Sequence, residues 1–162
     1  MRLTSLAPVL ALFAPPATTL TSAGCIDGLI CTLVGFEDGL HVDIEVPAEP
    51  AATLYRVEVE ADGEVLALPY EVTAQGGQCL LECRAAGARL TLADGFPSDL
   101  QGLAVIIGRP DGRGGPESAT VRVFRGEALA AEATFQPRYQ TDEPNGRGCG
   151  EHVHASATLV VP

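Results

Sequence analysis

His152 and His154 stand two residues apart near the end of the chain, just after Cys149 and Glu151. Side chains at i and i+2 of a strand leave the same face, so two imidazoles placed this way can hold one metal ion. The third of the three histidines, His41, lies on the polar face of the first segment with strand character. If the first and last strands are neighbours, His41, His152 and His154 make a three-nitrogen set for zinc or copper. The same spacing fits plain solvent exposure equally well, because Ser156 and Thr158 continue the polar alternation.

Other chemistry is harder to find. No GxSxG elbow occurs, and no carboxylate, histidine and serine are set apart by their spacing. Gly112, Gly114 and Gly115 lie between Asp111 and Pro116 in a hairpin-like loop, where a phosphate cradle would precede a helix. Five AspGly pairs, at Asp27, Asp38, Asp62, Asp94 and Asp111, read as turns, since none continues into the ligand spacing of an EF-hand. The expectation is a protein that is no enzyme and carries no resident cofactor.

The cysteines are Cys25, Cys31, Cys79, Cys83 and Cys149, an odd set. Met1 to Gly24 reads as an export signal: Arg2, an apolar run from Leu6 to Ala14, then small residues from Thr18 to Gly24. A membrane span needs about 20 apolar residues, and Pro8, Pro15 and Pro16 interrupt this run. The stretch Leu20 to Cys25 resembles the lipobox of bacterial lipoproteins, in which the cysteine after the cut receives lipid. Ser22 stands where that pattern usually has leucine, and an ordinary cut after Ala23 is the alternative.

Giving Cys25 to lipid leaves Cys31, Cys79, Cys83 and Cys149, enough for two disulfides in an oxidising compartment. A Cys79–Cys83 bridge is disfavoured if Gln78 to Cys83 is one extended strand. Its ends would then lie about 13 Å apart, beyond the roughly 7 Å that a disulfide spans. Bridges from this central segment to Cys31 and Cys149 fit that case. A tight loop would make the local bridge the leading option. The set lacks a CxxC pair and the spacing of a common zinc site.

Of the 162 residues, positions 25–162 carry nine arginines, no lysine and 21 acidic residues, a net charge of −12 that disfavours nucleic acid as a partner. From Leu40 onward, short alternating segments are separated by turn residues, with no helical periodicity. Expected strands are Leu40 to Val46, Tyr55 to Val59, Leu66 to Val72, Arg89 to Leu92, Leu103 to Ile107, Ala119 to Phe124, Leu129 to Phe135 and His152 to Val161, with Gln78 to Cys83 open between extended chain and a tight loop. Asp62 and Gly63 turn one hairpin, Gly126 and Glu127 another, and Gly76 with Gly77 a third bend. Leu103 to Ile107 is continuously apolar, as in a central strand covered on both faces. The pattern predicts an all-β, immunoglobulin or fibronectin type III-like antiparallel sandwich of about seven to eight strands. It spans 39–162, behind a signal peptide at 1–24 and a short tether at 25–38.

Cys25 in its lipobox-like setting, Cys31 ahead of Asp38–Gly39–Leu40, and the tail Tyr139 to Val160 with Pro144–Asn145–Gly146 and Cys149 occur together. In combination they resemble small exported lipoproteins of myxobacteria and related bacteria. A second cysteine often follows shortly after the tail cysteine in that pattern, whereas 151–154 contain none. The resemblance implies an immunoglobulin-like fold and a location, and carries no catalytic residues. The combined expectation is a non-catalytic binding or structural module, exported and held to a membrane by lipid on Cys25. It would sit in the periplasm or at the cell surface, with an envelope protein or glycan as partner. The alternative is a periplasmic zinc- or copper-binding protein.

Overall fold

A computed structural model describes residues 37–49, 51–80, 83–97 and 102–162. Eleven strands follow one another: β1 (Gly39–Glu45), β2 (Thr53–Ala61), β3 (Glu64–Thr73), β4 (Gly76–Cys79), β5 (Arg84–Ala86), β6 (Thr91–Asp94), β7 (Leu103–Gly108), β8 (Ala119–Arg125), β9 (Ala128–Phe135), β10 (Gln140–Asp142) and β11 (His152–Val160). They form a six-stranded sheet, β10-β11-β1-β7-β6-β5, and a five-stranded sheet, β4-β3-β2-β8-β9. Apolar residues of the two sheets close one core between them, so the all-β sandwich expected from the alternation is the observed architecture. No described helix is long and apolar enough to cross a membrane.

Alternation builds both layers. Leu40, Val42 and Ile44 of β1 are buried, as are Leu103, Val105 and Ile107 of β7, while Tyr55, Val57 and Val59 of β2 and Val121 and Val123 of β8 face them. Fully burying each such Val or Leu contributes about 1.5–3 kcal/mol. Asp62 (φ 51°) and Gly63 (φ 79°) both adopt positive φ, as a two-residue hairpin turn requires, and join β2 to β3. In β7, Leu103, Ala104, Val105 and Ile107 are buried and Ile106 is only partly covered.

Four expectations need correction. The described residues form eleven strands, where seven to eight were expected, partly because the short polar β10 has no apolar alternation to mark it. The sandwich is not wholly antiparallel, since β1 and β11 run parallel, with Gly39 opposite His154 and Ile44 opposite Leu159. The turn assigned to Gly76 and Gly77 falls at Ala74 and Gln75, and both glycines lie in β4. A Cβ on Gly77 would run into the Leu103 side chain, which explains a glycine inside that strand.

The fourth concerns Gln78 to Cys83, left open by the sequence between extended chain and a tight loop. It is not one strand: β4 ends at Cys79 on the edge of one sheet, and β5 starts at Arg84 on the edge of the other. The chain changes layer in between, which brings the two Cα atoms to 5.7 Å, and Cys79 and Cys83 form a disulfide. Cys149 is also disulfide-bonded. Cys25 and Cys31, with the whole signal segment and most of the tether, lie outside the described residues.

Candidate functional site

The parallel pairing of β1 with β11 is what assembles the histidines. Their inward residues lock into the core, so His41 on β1 and His152 and His154 on β11 are left on the outer face of the six-stranded sheet. In register, His154 lies opposite Gly39 and His41 opposite Ser156, which sets His41 and His154 one step apart on adjacent strands. On the other side of β1, His41 is paired with Ile106 of β7.

A groove of about 580 Å³ runs over these positions, lined by His41, His152, His154, Ile106, Asp94 and Phe96 among others. Gly95 crosses directly over His41, and a Cβ there would stand 3.1 Å from the His41 Nε2 atom. This nitrogen is shielded from solvent and finds no hydrogen-bond partner among the described residues; the Asp43 carboxylate is 3.9 Å away. Phe96 follows Gly95 and is 93 % exposed, an aromatic ring standing free beside the groove. Arg84 and Glu37, which also line it, form an ion pair with each other.

The rings of His152 and His154 lie edge to face, with centroids 4.6 Å apart. Each is also held by a neighbour. His154 Nε2 meets the Asp142 carboxylate of β10 at 3.2 Å, and His152 Nε2 meets the Glu37 carbonyl at 3.1 Å. The structure thus brings the three predicted histidines to one groove without gathering their nitrogens around a common point. Among the described residues, the group of metal-type ligand atoms lying within 4.8 Å of one another is Cys79, Cys83 and Asp94, and its two sulfurs are joined in the disulfide.

Three contributors were not singled out from sequence: Phe96, Asp94 and the acid Asp142. Phe96 follows an AspGly turn and gives no alternation signal, and Asp142 lies on the unexpected strand β10. The glycine-rich loop proves to be packing: Gly115 lies against the Tyr139 hydroxyl and Gly114 against Val153, while Tyr139 donates to the Pro116 carbonyl at 3.0 Å. The Asp38 carboxylate accepts from the Val153 amide at 3.0 Å, so this AspGly pair ties β1 to β11.

No family model, curated protein or solved structure matches the chain.

Proposed function

We propose that this chain is a lipid-tethered module of the bacterial cell envelope that binds a partner through the histidine-lined groove, a binding role with no reaction at that groove. The observation that carries the binding role is the convergence of His41, His152 and His154 with the exposed Phe96 ring on one groove. Such a site offers an apolar floor at Ile106 and polar groups at fixed positions, the mixture that orients a ligand. An envelope glycan, with an apolar face and many hydroxyls, suits this lining. The tether rests on the export signal and Cys25, and the immunoglobulin-like kinship on the two-layer sheet and the lipoprotein resemblance.

Soluble envelope glycan fragments titrated into the protein, followed by NMR of the histidine ring protons, test the groove. The expected result is saturable shifts at His41, His152 and His154 that are lost in Phe96→Ala. Rings that do not move with any fragment exclude the glycan, and unchanged shifts in Phe96→Ala exclude the groove as its site. Labelling with radioactive fatty acid tests the tether. Wild type should label and Cys25→Ala should not; equal labelling rejects it.

A second reading, zinc or copper capture, draws on the close His152–His154 ring pair and the shielded His41 nitrogen. It requires the Asp142 and Glu37 contacts to give way to the ion. Calorimetric titration with each metal decides it, and an affinity unchanged in the His152→Ala, His154→Ala double variant eliminates this reading.

A further inference from the structure

The Cys79–Cys83 disulfide lies in an unusual frame. Cys79 is the register partner of Tyr70 across β3 and β4, in the five-stranded sheet. Cys83 accepts the Asp94 amide proton at 2.9 Å, which makes Asp94 its cross-strand neighbour in the six-stranded sheet. The disulfide links the two layers on one side of this square, and the Tyr70 and Asp94 side chains come close enough to act on each other electrostatically on the other. An Asp94 carboxylate oxygen lies within 4.8 Å of both sulfurs. The sulfurs are only partly buried; Cys79 packs against the core.

A structural staple needs no ionisable group beside it. We infer that Cys79–Cys83 is a thiol–disulfide exchange site, in which the Asp94 carboxyl passes a proton to and from the inner sulfur. The partner is a protein or small-molecule dithiol. Its thiolate, having released a proton to solvent, attacks Cys83; the bond between the two sulfurs breaks and the electron pair goes to Cys79, which takes the Asp94 proton. The partner's second thiol then gives its proton to Asp94 and attacks the mixed disulfide, releasing Cys83, which is protonated by solvent. The partner dithiol is oxidised to a disulfide, and Cys79 and Cys83 are reduced to two thiols. The reverse sequence closes the bridge, with Asp94 as the base that removes the Cys79 proton.

Desolvation of the carboxyl pushes Asp94 above its ordinary range, against the opposing effect of the Tyr70 hydroxyl, although the residue as a whole is exposed. The Tyr70 hydroxyl donates its proton to the Ala104 carbonyl at 2.9 Å. The other titratable groups around Asp94 are those of the groove: Glu37, His41, Arg84, His152 and His154.

The full chain, oxidised, is mixed with dithiothreitol, and re-closing is started with glutathione disulfide; alkylation and peptide mass mapping follow the Cys79–Cys83 bridge as pH is varied. Asp94→Asn is expected to exchange at least about tenfold more slowly, with a ratio to wild type that changes through the titration of Asp94, and Asp94→Glu to recover part of the rate. Glu127→Ala, in the exposed turn between β8 and β9, should exchange like wild type, so the effect belongs to Asp94 and not to loss of any surface carboxylate. Equal rates in wild type and Asp94→Asn at every pH overturn the inference. So does a bridge that stays closed to dithiothreitol until the chain unfolds, as read by circular dichroism. If Asp94→Asn does not fold, the wild-type profile decides: a pH dependence explained by the reagent thiols alone is contradictory.

Discussion

Single carboxylates do much of the positioning. Glu64 accepts hydrogen bonds from the amides of Ala88 (2.9 Å), Arg89 (3.0 Å) and Leu90 (3.1 Å), tying the start of β3 to the loop between β5 and β6. The Arg89 amide and its two neighbours hold this carboxyl below its ordinary value of 4.5. A depressed folded value stabilises the native state above the unfolded value, and the contribution is lost as pH falls through the folded one. Urea unfolding midpoints should therefore be lower in Glu64→Gln at neutral pH, with the gap to wild type closing in acid; a gap independent of pH would contradict this. Glu49, 4 % exposed, accepts from the Tyr55 hydroxyl at 2.7 Å and from Arg125 at 2.6 Å. Arg125→Ala should cost about 1–2 kcal/mol in denaturant unfolding, at the low end for such a pair because the guanidinium is half-exposed. Neither role was legible in the sequence. Both depend on partners brought close by the fold, 24 to 26 positions away for Glu64 and 76 for the Arg125 contact of Glu49.

At the scale of elements, the sequence was informative wherever alternation and turn chemistry agreed. The β2–β3 hairpin follows from Val57, Val59, Leu66, Leu68 and the Asp62–Gly63 turn, and the observed pairing extends it at both ends. At 78–83 the sequence left extended chain and a tight loop open, and the change of sheet there rules out the single strand. No residue pattern announced the parallel β1–β11 pair, because its partners lie at opposite ends of the chain; only its consequence for the histidines was foreseen, as a condition. Three substitutions test this central pair of strands. Ile44, 1 % exposed, should cost about 2–5 kcal/mol when changed to Ala, whereas the exposed Glu45→Ala should stay within about 0.5 kcal/mol. Gly39 has φ 144° and sits against the Ile107 carbonyl, so Gly39→Ala should destabilise by about 1–3 kcal/mol and loosen the strand pair beneath His154. Thermal unfolding that leaves Gly39→Ala level with wild type would show that β1 does not enter at this angle.

Across the whole molecule, the proposal of an exported sandwich hung from its N-terminus draws on the two sheets, the negative net charge and the cysteines. With Cys79 and Cys83 paired and Cys149 bonded, the partner of Cys149 lies outside the described residues. Parallel β1 and β11 start at the same end of the sheet, and Cys31 and Cys149 each precede one of them in sequence. Cys25 and Cys31 are the cysteines that could pair with Cys149, and the proposed lipid on Cys25 leaves Cys31. Mass spectrometry of the mature protein under non-reducing conditions tests this most directly. The account predicts a peptide beginning at a lipid-modified Cys25, with Cys31–Cys149 and Cys79–Cys83 as separate bridges. An unmodified Cys25, or Cys25 joined to Cys149, would contradict it.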